Sequence, residues 1–358
     1  EVEEAIKRIK SADIRVVMLT GDHRLTAEAV AKEAGIYQKG DLVLTGEEID
    51  KLTDKELLGK LSRTAVFGRV TPEHKLRLIR AYQKQGEVVA MTGDGVNDAP
   101  SLVAADLGVA MGQIGTEVAK EASDIVLLND NLESIVFAIE EGRNIYKTIK
   151  KVILYLFSTG LGEVLTIIGA IVLGYPLPIL PAQIIWLNFI TDGFLDVALA
   201  MEPKEKGLLL AKFKQSKKWL VDGLMGQRMF LMALPMAGAT LYLFSDYFKT
   251  DPAKAWTISL TTLAVFQWFN AWNCRSEEKS IFRTNPFSNK FLVGATVVVI
   301  LLQLTALYAP FFQKVLRTQP LKLSEWLIII LVALSIILVE EIRKFIYRWR
   351  RSGLSPKI

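Results

Sequence analysis

The chain has 358 residues, of which 51% are hydrophobic, and its mean hydropathy is +0.29. This composition is too apolar for an ordinary soluble enzyme. The net charge of +5 is modest, and the single cysteine, Cys274, excludes an internal disulfide. The apolar residues are unevenly distributed, so we expect two domains: a soluble α/β domain at 1–145 and a membrane domain at 146–358.

Strand and helix patterns alternate in the first domain. Apolar runs predict strands at 14–19, 65–67, 88–91, 107–111 and 124–128. Capping and stop signals predict helices at about 26–34, from Thr71 onwards, and at 116–122. This alternation predicts a parallel, doubly wound sheet.

Three polar segments are expected to meet at the carboxyl edge of this sheet, where open α/β folds bind their ligands. They are Thr20-Gly21-Asp22, the helix start that presents Lys75, and the turn from Asp94 to Asp98. Phosphoryl transfer needs such a set: a hydroxyl for the phosphate, a lysine for its charge, and oxygen ligands for Mg²⁺. Asp94, Asn97 and Asp98 offer those ligands. For the Asp94–Asp98 segment alone, the alternative is a plain Asp/Gly-rich turn. For Lys75 alone, the alternative is a solvated helix lysine.

Longer motifs give these segments a more specific meaning. MLTGDHRLTAEAVAKEAGI, FGRVTPEHKLRLI and TGDGVNDAPSLVAADLGVAMGQIGTEVAKEASDIVLL resemble the phosphorylation domain of P-type cation-transporting ATPases, which has a haloacid-dehalogenase-like fold. Calcium pumps are the nearest members in this resemblance. It implies that Thr20 and Gly21 contact the phosphoryl group and that Lys75 neutralises it. It also implies that Asp94 binds Mg²⁺, while Asn97 and Asp98 hold the phosphate site together.

The resemblance has a gap at the amino-terminal side. The family is phosphorylated by ATP on the aspartate of a DKTGT motif, and this sequence has no such motif. Counterparts of the nucleotide-binding and actuator domains and of the first four spans are also missing. The chain begins at Glu1 without a methionine, so we expect the carboxyl-terminal part of a longer protein. Because the DKTGT aspartate is missing, we expect this part to be inactive alone and to need the amino-terminal part of the same pump as its partner.

The second domain contains six apolar runs long enough for bilayer-spanning helices, which require about 20 residues each. The runs are at about 150–173, 179–200, 224–245, 255–274, 291–311 and 323–342. Basic residues concentrate in Lys204–Lys218, Arg275–Lys290 and Arg343–Arg351, which predicts that these segments and the soluble domain face the cytoplasm. We expect the lipid bilayer as a partner, no nucleic acid, and the plasma membrane of a prokaryote as the location. Arg143–Lys151 resembles the family's stalk helix, although an interfacial anchor is the alternative.

Polar side chains inside these spans are candidate ion ligands, because burying them in lipid is costly. Glu163 lies in the first span, and Asn188, Thr191 and Asp192 lie at i, i+3 and i+4 in the second. Asp196 continues that face, and Gln267 and Asn270 follow in the fourth span. Calcium pumps bind their ions through residues that match Glu163, Asn188, Thr191 and Asp192, so the resemblance implies transport of Ca²⁺.

Two positions depart from the pattern of two-ion calcium pumps. Such pumps have an asparagine in place of Gly160 and a glutamate in place of Gln267, and both serve the same ion site. The resemblance therefore implies one Ca²⁺ per cycle, exchanged for protons that Glu163 partly carries. Asp196 leaves a rebuilt second site open, as well as transport of Na⁺, K⁺ or another cation. A membrane-anchored phosphatase or binding protein, and a non-catalytic assembly subunit, are alternatives from other classes.

Overall fold

A computed structural model describes residues 1–205, 207–209 and 220–352. The described residues form two compact units. Residues 1–143 and 207–209 make up the first unit, and residues 144–205 and 220–352 make up the second. Most of the basic segment Lys204–Lys218 lies outside the described residues.

Six short strands form two parallel three-stranded sheets in the first unit. The strands are β1 (Met18–Leu19), β2 (Leu42–Thr45), β3 (Thr64–Gly68), β4 (Ala90–Gly93), β5 (Leu107–Met111) and β6 (Ile125–Leu127). The strand orders are β1-β3-β2 and β4-β5-β6. Leu19 packs against core clusters of both sheets, one containing Phe67 and the other Met91. The prediction of a parallel α/β domain is confirmed.

Seven helices accompany the strands in the described part of the first unit. They are α1 (Val2–Ser11), α2 (Arg24–Glu33), α3 (Gly46–Asp50), α4 (Asp54–Leu61), α5 (Pro72–Lys84), α6 (Ala99–Ala104) and α7 (Glu117–Glu121). The sequence prediction missed α1, β2, α3 and α4. Reciprocal capping boxes start α3, between Thr45 and Glu48, and α4, between Thr53 and Glu56. The Thr-x-x-Glu spacing was therefore an available signal for both helices.

The predicted strand at 14–19 is wrong over most of its length, because only Met18–Leu19 form a ladder. Ile14 and Val16 instead pack against a core cluster that includes Val136. Their apolar character serves helix packing rather than strand pairing. Periodicity alone does not separate these two uses of a short apolar run.

The second unit is helical. Its helices are α8 (Glu133–Val172, which begins in the first unit), α9 (Pro181–Trp186), a π-helix (Leu187–Asp192), α10 (Gly193–Ala200), α11 (Gly223–Ser245), α12 (Pro252–Cys274), α13 (Lys290–Tyr308), α14 (Pro310–Leu316), α15 (Leu323–Ala333) and α16 (Ser335–Ser352). Helix α8 starts well before the predicted span at 150. The predicted spans at 291–311 and 323–342 are each divided between two helices, with breaks at Ala309 and Leu334.

Within the described residues, five helical segments are long and apolar enough to cross a membrane. They are Glu133–Val172, Pro181–Ala200, Gly223–Ser245, Lys290–Tyr308 and Leu323–Arg350. The remaining predicted span corresponds to α12, a helix of 23 residues with a less apolar composition. Most α12 side chains are buried inside the unit, which leaves little of the helix surface to face lipid. The count of six spans stays a prediction.

A buried ionic cluster joins α11 to α16. Arg228 donates to Glu340 Oε1 at 2.7 Å, and Arg343 donates to the same oxygen at 2.9 Å. The Glu340 side chain is fully buried. Removing one partner of such a cluster leaves uncompensated charge in an apolar interior.

This cluster predicts an order of stability among variants. Glu340→Gln should lower the thermal unfolding midpoint of the purified chain in detergent more than Arg228→Met does. The glutamine leaves two buried guanidinium groups without a counter-charge, a loss of about 3–5 kcal/mol. The methionine removes one cation and leaves Glu340 paired with Arg343. Equal midpoints, or the reverse order, would contradict this account.

Candidate functional site

Strand β4 ends directly before the acidic turn of the first unit. The sequence predicts this strand at 88–91, but the structure places it at Ala90–Gly93. Val88 is 75% exposed, whereas Gly93 pairs with Ala110 on β5. The shift places Asp94 at the carboxyl end of the strand, with a 3₁₀-helix at Val96–Asp98 immediately after the turn.

Lys75 and Asp98 form a largely buried ion pair. Lys75 Nζ lies 2.5 Å from Asp98 Oδ1, and the two side chains are 15% and 11% exposed. The other carboxylate oxygen of Asp98 accepts the main-chain N–H of Gly95 at 3.4 Å. A Cβ atom at Gly93 would lie 2.6 Å from the Cβ of Asp98, so the pair requires glycine there. Asp98 thus links the first turn of α5 to the turn after β4.

Asp94, which the sequence predicts to be a Mg²⁺ ligand, lies in the turn after β4. Its residue is exposed, as is Asn97, and its carbonyl oxygen accepts the N–H of Thr116 at 2.9 Å. Mg²⁺ is commonly held by one or two carboxylates together with waters and substrate phosphate oxygens. Asp98 is occupied by Lys75, so Asp94 is the carboxylate of this turn that fits the ion directly.

The segment Thr20-Gly21-Asp22 forms a hydroxyl-lined turn after β1. The Thr20 hydroxyl donates to Asp22 Oδ2 at 3.0 Å and accepts the Asp22 N–H at 3.1 Å. Thr20 N–H donates to Phe67 O at 2.9 Å, which attaches the turn to β3. Gly21 and Asp22 are exposed, so the turn is open to a ligand.

Glu163 is buried among helices of the second unit. Its residue is 5% exposed, and its two oxygens accept the amides of Asn188 at 3.0 Å and Gln267 at 2.9 Å. Three helical segments therefore meet at one carboxylate. Gln267 is fully buried, and among the described residues its amide oxygen has no hydrogen-bond partner. A cation would satisfy this oxygen, because an unpaired buried acceptor is costly.

Asp192 lies against the same face of α8. Its carboxylate accepts the Tyr155 hydroxyl at 2.6 Å, and the Thr159 hydroxyl oxygen lies 3.3 Å away. Tyr155 and Thr159 are eight and four residues before Glu163, so all three share one side of the helix. Tyr155 and Thr159 were not among the candidates predicted from the sequence. Their spacing from Glu163, by multiples of four residues, was the signal that could have found them.

The segment around Asn188 is not the α-helical face that the sequence predicts. Leu187–Asp192 is a π-helix, which widens the turn and is frequent at functional sites. Thr191 and Asp192 are buried in it, while Asn188 is exposed, and its amide donates both to Glu163 and to Ile184 O at 2.9 Å. Asp196 is half-buried, and its Oδ1 accepts the N–H of Val197.

The polar side chains around Glu163 and Asp192 offer oxygen atoms of several chemical types. In the part of the chain that the structure describes, no group of three or more histidine, cysteine, aspartate or glutamate side chains is arranged to bind a metal. Glu163 and Asp192 are accompanied instead by amide and hydroxyl groups, including Asn270, which donates to the Ser158 hydroxyl at 2.7 Å. Carboxylate, amide and hydroxyl oxygens together are ligands that suit a hard cation.

Family models match both parts of the chain. Residues 176–346 match the model described as cation transporting ATPase, C-terminus. Residues 1–106 and 75–139 match two models described as haloacid dehalogenase-like hydrolase.

Several calcium-transporting ATPases are similar to this chain. The calcium-transporting ATPase of Bacillus subtilis is 41% identical over 92% of this chain and 37% of its own length. Calcium-transporting ATPase 1 of Bacillus cereus is 40% identical over 96% of this chain and 41% of its own. The endoplasmic reticulum-type calcium-transporting ATPase 4 of Arabidopsis thaliana is 35% identical over 97% and 38%. The chain thus spans about two fifths of the length of these relatives. With its α/β unit, its apolar helices and these matches along both parts, the chain belongs to the family of cation-transporting P-type ATPases.

Proposed function

We propose that this chain is the carboxyl-terminal part of an ATP-driven Ca²⁺ pump that works through an aspartyl-phosphate intermediate. The observation that supports it most directly is Glu163, a buried carboxylate in an apolar helical unit, bound to side chains from two other helical segments. An anchor for a phosphatase or binding protein has no use for such a group. This is the reason to prefer a pump over the membrane-anchored alternative.

Three segments of the chain form the proposed phosphate site. The Thr20 hydroxyl and the exposed turn at Gly21 receive the phosphoryl group, and Lys75 offsets its negative charge. Asp98 holds the Lys75 ammonium in place. Asp94 would hold Mg²⁺, and the ion would supply positive charge that offsets the negative charge of the phosphoryl group. ATP and the aspartate that accepts its phosphate belong to the amino-terminal part of the pump, which is its partner.

The ion site is built around α8. Glu163, Asn188, Thr191 and Asp192 supply oxygens for Ca²⁺, and the π-helical turn orients the last three differently from a regular helix. A buried carboxylate that loses its cation needs another partner or a proton, because an isolated charge is costly there. Glu163 therefore also carries protons in the return direction. Na⁺ or K⁺ transport is the second candidate, favoured by the half-buried acid Asp196 at the end of this segment.

The phosphate site generates the first functional prediction. In the full-length pump, Asp94→Asn should abolish Mg²⁺-dependent phosphorylation by radiolabelled ATP, because an amide replaces the anionic ligand of a hard cation. Lys75→Ala should slow phosphorylation by removing charge stabilisation. Asp54→Asn is the control: Asp54 forms exposed ion pairs with Arg77 and Lys84 and should not affect the rate. Normal phosphorylation in Asp94→Asn would reject the assignment.

The ion site predicts the number of bound ions. We expect the purified pump to bind one Ca²⁺ per phosphorylation site in equilibrium binding of radioactive Ca²⁺. Gly160 and the neutral Gln267 leave a second site short of ligands and charge, and Ca²⁺ prefers about six to eight oxygens. A Cβ atom at Gly160 would meet no heavy atom within 4 Å, so a side chain can be accommodated. Gly160→Asn combined with Gln267→Glu should therefore add a second ion.

Three binding results would change this assignment. Two high-affinity ions in the unaltered pump would refute the single site. A double variant that is folded but still binds one ion would show that these two positions do not control the number. No Ca²⁺ binding at all would move the transported ion to a monovalent cation.

Charge asymmetry generates a topology prediction, with the basic segments in the cytoplasm of a prokaryotic cell. Cysteines introduced by Lys212→Cys and Trp349→Cys should resist an impermeant reagent applied outside intact cells, whereas Leu177→Cys should react. Leu177 is 52% exposed in the uncharged loop after α8. The native Cys274 is buried and should not react with the reagent. Labelling at 212 or 349 would overturn the proposed orientation.

A further inference from the structure

The loop between β5 and α7 is held by one aspartate side chain. Asp130 Oδ1 accepts the main-chain N–H groups of Gly112 at 2.6 Å and Gln113 at 3.0 Å. Its Oδ2 accepts the N–H of Ile114 at 2.9 Å. Three successive N–H groups thus converge on one carboxylate, as in the main-chain concavities that bind anions.

These hydrogen bonds keep the carboxylate ionised. The N–H of Gln113, together with those of Ile114 and Gly112, lowers the pKa of Asp130 below its ordinary value. A lowered folded-state pKa means that the contribution of this group is complete above the pKa of an unfolded aspartate. It is lost only as the pH falls through the folded-state pKa. Assays at neutral pH therefore test the charged form.

The main chain on both sides of this contact is closely restricted. Asp130 has φ of +53°, a conformation that only a few non-glycine residues adopt. A Cβ atom at Gly112 would lie 2.6 Å from Leu127 O, and one at Gly115 would lie 2.0 Å from Met111 O. Side chains therefore do not fit at either glycine. These close approaches and the three hydrogen bonds to Asp130 restrict the loop between Met111 and Thr116.

The same loop leads to the proposed Mg²⁺ ligand. Thr116 follows Gly115 and donates its main-chain N–H to the carbonyl oxygen of Asp94 at 2.9 Å. The direction of the Asp94 carboxylate depends on the position of its own main chain. A displacement of the loop would therefore be transmitted to Asp94 through one hydrogen bond.

We infer that Asp130 is a positioning residue for the Mg²⁺ site, acting on Asp94 through the loop at 112–115 and Thr116. The inference rests on the proposed function, because it takes Asp94 as the Mg²⁺ ligand. Groups that orient a metal ligand change metal affinity without touching the metal. Asp130 would orient Asp94 indirectly, through the main chain of the loop and Thr116.

Two substitutions of Asp130 form a graded test in the full-length pump. Asp130→Asn keeps one acceptor oxygen for Gly112 and Gln113 and loses the acceptor for Ile114, whereas Asp130→Ala loses all three bonds. The Mg²⁺ concentration that half-saturates phosphorylation should rise about tenfold or more in the alanine variant. It should rise less in the asparagine variant. In both, high Mg²⁺ should recover phosphorylation, which an unfolded protein would not show.

Asp106→Asn is the matched control. Asp106 Oδ2 accepts the N–H of Val89 at 2.8 Å, just before β4 and at the end of the strand opposite to Asp94. This variant should keep the original half-saturating Mg²⁺ concentration. Unchanged half-saturation in both Asp130 variants, or a loss that Mg²⁺ does not recover, would overturn the inference. Phosphorylation that needs no Mg²⁺, or that survives Asp94→Asn, would overturn the proposed function instead.

Discussion

Charge buried in an apolar interior has to be matched by a partner, and this constraint organises the helical unit. Glu163 can be buried because amides from two other helical segments donate to it. Asp192 is stabilised by Tyr155, and Glu340 by two guanidinium groups. Apart from Arg343 and Glu340, which lie on one helix, each contact joins residues of different helical segments, so the polar groups also determine which helices are neighbours.

The same constraint operates in the first unit on a smaller scale. Lys75 and Asp98 neutralise each other at the ends of two different segments, so neither position is independent of the other. Gly93 is needed because the Asp98 side chain occupies the space where a Cβ atom would lie. A short motif rich in glycine and acids thus contains both the proposed Mg²⁺ ligand, Asp94, and the residues that hold its surroundings in place.

Local patterns predicted those parts of the structure that local forces determine. Strand β5 has the predicted bounds, 107–111, because its apolar run is buried and paired on both sides. The strand at 14–19 was overestimated, since the burial of Ile14 and Val16 comes from helix packing that no local pattern reports. Helices α3 and α4 were missed although their capping residues are visible in the sequence.

The candidate sites show the same division. The polar residues of the spans could be selected because apolar surroundings make them unusual. Their contacts could not be predicted: Tyr155 meets Asp192 across 37 positions of sequence. The π-helical turn at Leu187–Asp192 also has no simple sequence signal, and it alters the face that regular helical spacing assigns to Asn188, Thr191 and Asp192.

The burial of α12 has a consequence for how the protein is made. A helix with this polar content gains little by entering lipid alone, because insertion depends on the summed apolarity of its side chains. Helix α11, which ends only at Ser245, is apolar enough to insert and packs against the core that includes α12. The two helices are separated by residues 246–251 alone. The prediction that α12 is a span therefore requires α11 and α12 to enter the bilayer together as one hairpin, with α12 covered by its neighbours from the start.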